Sequence, residues 1–142
     1  MKPARKKSEG SATAPSRSGD GLGPAFPARR LLELIADKWT PIVIYCLSRG
    51  PVRFGELHRG ITGISKKMLI QVLRRLESDG LVDRKVYEHI PPRTEYTLTT
   101  AGERIHEPIA AICRWAMKND SLLEQIERKR KRFSEKTGAG AS

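Results

Sequence analysis

Between Gly63 and Val86 the chain reads G-I-S-K-K-M-L-I-Q-V-L-R-R-L-E-S-D-G-L-V-D-R-K-V, an order of signals that few folds can accommodate. Leu69, Val72, Leu73 and Leu76 stand at i, i+3, i+4 and i+7 and so form one apolar face of a helix. Ser65 occupies the N-cap position, and Gly80 the place where a helix stops and the chain turns through positive φ. Off the apolar face lie Lys66, Lys67, Gln71, Arg74, Arg75 and Ser78, with the length, hydrogen-bonding groups and charge to meet phosphates and base edges. An ordinary amphipathic helix with a solvated basic side would carry the same residues. The stretch after Gly80 makes the difference, because Leu81 to Val86 reads as a strand able to open a hairpin.

Upstream, residues 1–24 are rich in Gly, Pro, Ser, Ala and Lys/Arg, with almost nothing to bury. That composition predicts a disordered basic arm, either tracking DNA phosphates or only solubilising the chain. From Phe26 the pattern changes. Leu31, Leu32, Leu34 and Ile35 predict a short helix after Pro27, and Asp37 is placed to cap the next. Pro41 is tolerable in that helix because first-turn N–H groups lack helical partners. The segment W-T-P-I-V-I-Y-C-L (Trp39 to Leu47) is apolar nearly all round and is expected to be the central, most buried helix. Val52, Phe54, Leu57 and Ile61 suggest a brief strand or extended turn and a short helix, separated from Ser65 by a break at Thr62–Gly63. Two helices joined through a Gly-containing turn are what a helix-turn-helix requires.

Past Gly80, the arms Leu81–Tyr87 and Thr94–Leu98 would flank the loop E-H-I-P-P-R. Its prolines suit a stiff tip and not a paired strand centre. Thr100 and Glu103 fit a capping box for a helix whose apolar side is Ile105, Ile109, Ile112, Cys113 and Ala116, bent at Pro108. Residues 121–142 read as a helical extension with a basic tail, carrying the R-K-R-K-R run. The fold class is therefore mainly α with a small β-hairpin, an α+β winged helix-turn-helix over residues 25–120.

The formal charge is +11, from 27 Lys and Arg against 16 Asp and Glu. Each tail (1–25 and 121–142) supplies +3 of this, which leaves +5 on the central domain and favours a polyanionic partner. No apolar run approaches the length of a membrane span and no export signal is in order, so a soluble, cytoplasmic, nucleoid-associated protein without membrane contact is expected. His58, His89 and His106 are scattered, Cys46 and Cys113 are unpaired in spacing, and no nucleophile-elbow or phosphate-loop motif occurs. The reading assigns no enzyme activity, no metal and no cofactor.

Five motifs in order carry a resemblance: P-x-x-R-x-L-E-L-I-x-x-K-W-T (Pro27 to Thr40), G-P-x-R-F-x-E-L (Gly50 to Leu57), G-I-S-x-K-x-L (Gly63 to Leu69), L-x-x-L-E-x-D-G-L-V-x-R (Leu73 to Arg84) and P-P-R-x-E-Y-x-L-T-x-x-G (Pro91 to Gly102). From about Phe26 to Lys118 the chain resembles the HxlR-type winged helix-turn-helix transcriptional regulators, relatives of the MarR group. The resemblance implies a bacterial homodimer packed through its N- and C-terminal helices, each subunit with a recognition helix (about 65–79) and a wing (about 81–98). Redox-sensing members carry a cysteine directly before the first motif's proline. Here Phe26 stands there, which removes thiol sensing at that position and leaves Cys46 and Cys113, both read as small buried hydrophobes.

The expected partner is double-stranded DNA, met by Ser65, Lys66, Lys67, Gln71, Arg74, Arg75 and Arg93. Ser65 and its neighbours would offer free helix N–H groups to a phosphate, while Gln71 and Lys67 would read major-groove acceptors. Two of the set have structural alternatives. Arg75 could pair with Glu77, Asp79 or another acid, and Arg93 with Glu88 or Glu95 instead of entering a minor groove. Trp39, Tyr45, Ile109 and Trp115 are candidates for lining a small-molecule effector pocket between the Trp39–Leu47 helix and the helix around Pro108, with core packing as the plainer reading. The rival function is a non-specific DNA-coating or architectural protein on the same fold.

Overall fold

The computed structural model describes residues 22–88 and 90–138; the basic arm at 1–21, His89 in the wing loop and the last four residues lie outside them. The chain divides into two compact units after Ala36. The first contains α1 (Pro27–Ile35), which starts with Pro at its N1/N2 position, as its fixed φ favours. On α1 Ile35 is buried and Leu32 is exposed.

The second unit runs in the order α2 (Thr40–Leu47), β1 (Val52–Arg53), α3 (Phe54–Gly60), α4 (Lys66–Ser78), β2 (Val82–Tyr87), β3 (Arg93–Leu98), α5 (Thr100–Lys118) and α6 (Asp120–Gly138). Asp37 caps α2 as its position suggested: its Oδ1 accepts from the N–H groups of Trp39 and Thr40, each at 2.9 Å. Val43, Ile44 and Leu47 of α2 are buried, and α2 packs against α3, α4, α5 and β3. Yet α2 is not enclosed on every side. Ile42 and Tyr45 remain 40% and 43% exposed, so its all-apolar sequence covers a surface as well as a core.

The hairpin β2–β3 is antiparallel from Val82↔Leu98 to Tyr87↔Arg93. Arg93 thus belongs to the strand and not to the loop. The brief strand or extended turn expected at Val52 is a strand, and its pairing is what the sequence did not indicate: β1 joins the other edge of β3 through Val52↔Tyr96 and Arg53↔Glu95, giving the order β1-β3-β2. Tyr96 and Leu98 point into the core in period-2 alternation. Two residues of β1 suffice to tie the start of α3 to the wing.

The cap of α5 is shifted by one residue from the expected box. Thr99, not Thr100, is the N-cap, its Oγ1 accepting from the Gly102 N–H at 3.1 Å. The same hydroxyl donates to the Gly80 carbonyl at 2.6 Å, a partner that a box at Thr100 could not reach in this arrangement. Pro108 lies inside α5, and the helix runs through it to Lys118. Asn119 then ends α5, and α6 is a separate helix with no buried residue.

Candidate nucleic-acid interface

The geometry of α4 is set by its four buried leucine and valine positions. Leu69, Val72, Leu73 and Leu76 are each at most 4% exposed, which fixes one side of the helix against the core. At 3.6 residues per turn the pole opposite that side consists of Lys67, Gln71, Arg74 and Ser78, all exposed. Ser65 caps α4, its hydroxyl accepting from the Met68 N–H at 3.0 Å. No acidic residue stands in the first turn, so the positive end of the helix dipole is reinforced by Lys66 and Lys67. An anion brought there meets a favourable field from both sources.

Beside this pole, between α3, α4 and the hairpin, lies an open cleft of about 740 Å³. Five arginines line it: Arg53, Arg59, Arg74, Arg84 and Arg93, with Glu56 and Glu77 as the only acids in its wall. One of the five is partly neutralised, because Arg84 Nε lies 3.6 Å from Glu77 Oε2. Tyr96 forms part of the floor. Burial pushes its phenol above its usual range, an effect that nearby Arg84 and Arg74 partly offset. The groove is wide, positively charged and polar. It suits a phosphate backbone better than an apolar metabolite.

The structural alternatives weighed for Arg93 and Arg75 turn out in opposite ways. Among the described residues Arg93 has no acid within ion-pair distance; its guanidinium lies 4.7 Å from the centre of the Tyr87 ring, which also receives Lys85 at 4.9 Å. Two cations are thereby held on the wing by one aromatic ring. Arg75 does find an acid. Its Nη2 donates both to Asp37 Oδ2 and to Thr40 Oγ1, so its charge is engaged within the fold. Its angular position explains this, since Arg75 sits at the edge of the exposed pole, within reach of the start of α2.

Sequence reasoning missed Arg53, Arg59 and Arg84. They converge because β1 pairs with β3, which carries Arg53 and α3 to the wing. The one local signal for Arg84 was its place inside the expected hairpin arm Leu81–Tyr87.

The four effector-pocket candidates lie in different surroundings. Ile109 is buried, Trp39 lies under Gly63, and Trp115 on α5 is 53% exposed. Tyr45 faces His106 at 6.0 Å, and His106 Nε2 is buried with no hydrogen-bond partner among the described residues. The cavity that Tyr45 does border, about 380 Å³, is lined otherwise by Cys46, Arg49, Val52, Glu56, Leu57 and Gly60. Cys46 is half-buried, and that burial pushes its thiol above the usual range, away from the reactive thiolate. Among the described residues no His, Cys, Asp or Glu group could hold a metal, and no helix is long and apolar enough to cross a membrane.

Comparison with known proteins gives the same reading as the geometry. The HTH-type transcriptional regulator YkvN of Bacillus subtilis is 47% identical over 83 residues, 58% of this chain and 70% of its own length. The HTH-type transcriptional regulator YtfH of Escherichia coli is 37% identical over 99 residues, 70% of this chain and 79% of its own. Among solved structures, a MarR-family transcriptional regulator from Porphyromonas gingivalis superposes with a TM-score of 0.66 at 41% identity, covering 68% of this chain and 95% of that one. A profile of the HxlR-like helix-turn-helix matches residues 34–127, from the last turn of α1 into α6. The chain therefore belongs to the HxlR-like helix-turn-helix family and is a transcriptional regulator with a winged-helix DNA-binding domain.

Proposed function

We propose that the protein acts as a homodimer that reads a specific sequence in duplex DNA, with α4 in the major groove and the hairpin β2–β3 on the adjacent backbone or minor groove. The observation that carries this is the adjacency of two surfaces: the exposed pole of α4, with Lys67, Gln71 and Arg74, and the arginine-lined cleft that leads from it to the wing. In this reading Ser65 and Lys66 hold phosphates at the helix N-terminus, and Arg74 holds one from the cleft side of α4. Gln71 and Lys67 reach base edges, and Arg93 serves the wing. Arg53, Arg59 and Arg84 join them as backbone contacts, and Arg75 is left out because Asp37 and Thr40 hold it. The dimer rests on unpartnered apolar surface. On α5, Ile112 and Trp115 are exposed on one side of the helix, at i and i+3, and Leu32 is exposed on α1. Such faces are what an isologous two-fold contact would cover.

Genomic footprinting with the full chain tests both parts. It should return a shared, partly palindromic sequence whose half-sites lie roughly 34 Å apart, one turn of duplex. Footprints with no common sequence would make the protein a DNA-coating one on the same fold. Protection of single half-sites would remove the dimer.

A further inference from the structure

α4 is attached to the core in two physically different ways. Its apolar face is held by packing, which sets the side of the helix that meets the core through contacts that are individually weak and non-directional. Its second attachment is polar and directional. Arg75, in the last turn of α4, donates through Nη2 to Asp37 Oδ2 and Thr40 Oγ1, and the Thr40 hydroxyl in turn donates to the same Asp37 oxygen. Thr40 is fully buried, and the other Asp37 oxygen is occupied by the N–H groups that cap α2. Every member of this network is thus tied to the start of α2.

Gln71 lies one turn before Arg75, at i and i+4, so a roll of α4 that displaces Arg75 carries Gln71 with it. A side chain that must match a base edge tolerates errors of about half an ångström before its hydrogen bonds degrade. We propose that Asp37 and Thr40 are positioning residues for base reading: through Arg75 they fix the roll of α4 and so the placement of Gln71. The inference rests on the proposed role of α4 in the major groove. Burial would raise the Asp37 carboxyl, but hydrogen bonds from the Thr40 hydroxyl, the Thr40 and Trp39 N–H groups and Arg75 hold it down at about 2, so it is an anion wherever the protein works.

The alternative is that Arg75 is a phosphate contact that Asp37 merely parks when DNA is absent. The two accounts differ in sign for Asp37→Asn, a substitution that keeps an N-cap oxygen for α2. If Asp37 positions, Asp37→Asn weakens operator binding about tenfold and leaves affinity for a scrambled duplex and the salt slope unchanged. Arg75→Gln then does the same, and the double variant is no worse than either single one. If Asp37 parks, Asp37→Asn binds the operator more tightly and Arg75→Gln reduces the salt slope by about one unit. Either of those results overturns the proposal. Hydrogen exchange on the free protein separates it from the functional reading. Asp37→Asn should lower protection of the α4 amides about tenfold while those of β3 stay as they were. An equal change in both elements, or none, overturns the proposal whether or not the wild type prefers one duplex over another.

Discussion

Gly102→Ala should destabilise the protein by about 3 kcal/mol, more than any surface change in the DNA-facing set. The third residue of α5 lies against the chain where α4 gives way to β2. A Cβ on Gly102 would stand 2.1 Å from the Leu81 carbonyl oxygen and 3.1 Å from Leu98 Cδ2. The first of these is backbone and cannot swing aside. Nor is it idle, because it accepts from the Thr99 N–H at 3.0 Å, while the Thr99 hydroxyl spans from Gly80 to the Gly102 N–H. Relief would require α5 to lift from the hairpin, breaking the Thr99 cap and uncovering Leu81 and Leu98. Urea unfolding should show a lower midpoint at unchanged slope. A midpoint within about 0.5 kcal/mol of the wild type would mean that α5 and the wing are not docked this closely.

The second large effect concerns affinity. Lys66→Gln, Lys67→Gln and Arg74→Gln together should reduce the slope of log K against log salt by up to about three units, since each lost phosphate contact removes about 0.9. Near physiological salt this corresponds to roughly a hundredfold weaker binding to any duplex. Stability should change little, because all three side chains are exposed and none forms an ion pair among the described residues. If Lys67 reads a base and holds no phosphate, the slope falls by about two units and selectivity drops as well. An unchanged slope would place this side of α4 away from DNA.

Local signals made α4 legible in the sequence almost residue by residue. Ser65 caps it, four apolar positions bury it, and Gly80 ends it at φ +73°. The hairpin was legible because alternation in E-Y-T-L and the flanking prolines are also local. What was illegible depends on contacts between distant segments. β1 was legible only as a brief strand or extended turn, and its pairing with Tyr96 and Glu95, which brings Arg53 and Arg59 to the wing, has no local mark. The partner of Arg75 lies 38 positions away at Asp37, which the sequence marked only as a cap. The α5 cap was misplaced by one residue because Thr99 and Thr100 are equivalent locally, and Gly80 alone decides between them. The exposure of Ile42 and Tyr45 could not be read from composition either, since an apolar helix and a buried helix look alike until its neighbours are known.

The claim that α4 reads sequence is tested most directly by one side chain. Gln71 is exposed on the pole opposite the core, carries no charge and is one of the two base-reading candidates on α4. Binding of wild type and Gln71→Ala should be titrated on the footprinted operator and on a scrambled duplex of equal length at one salt concentration. The account predicts a loss of roughly 1–3 kcal/mol on the operator and almost none on the scrambled duplex, with the salt slope intact. Equal losses on both duplexes would contradict it, as would no loss on the operator.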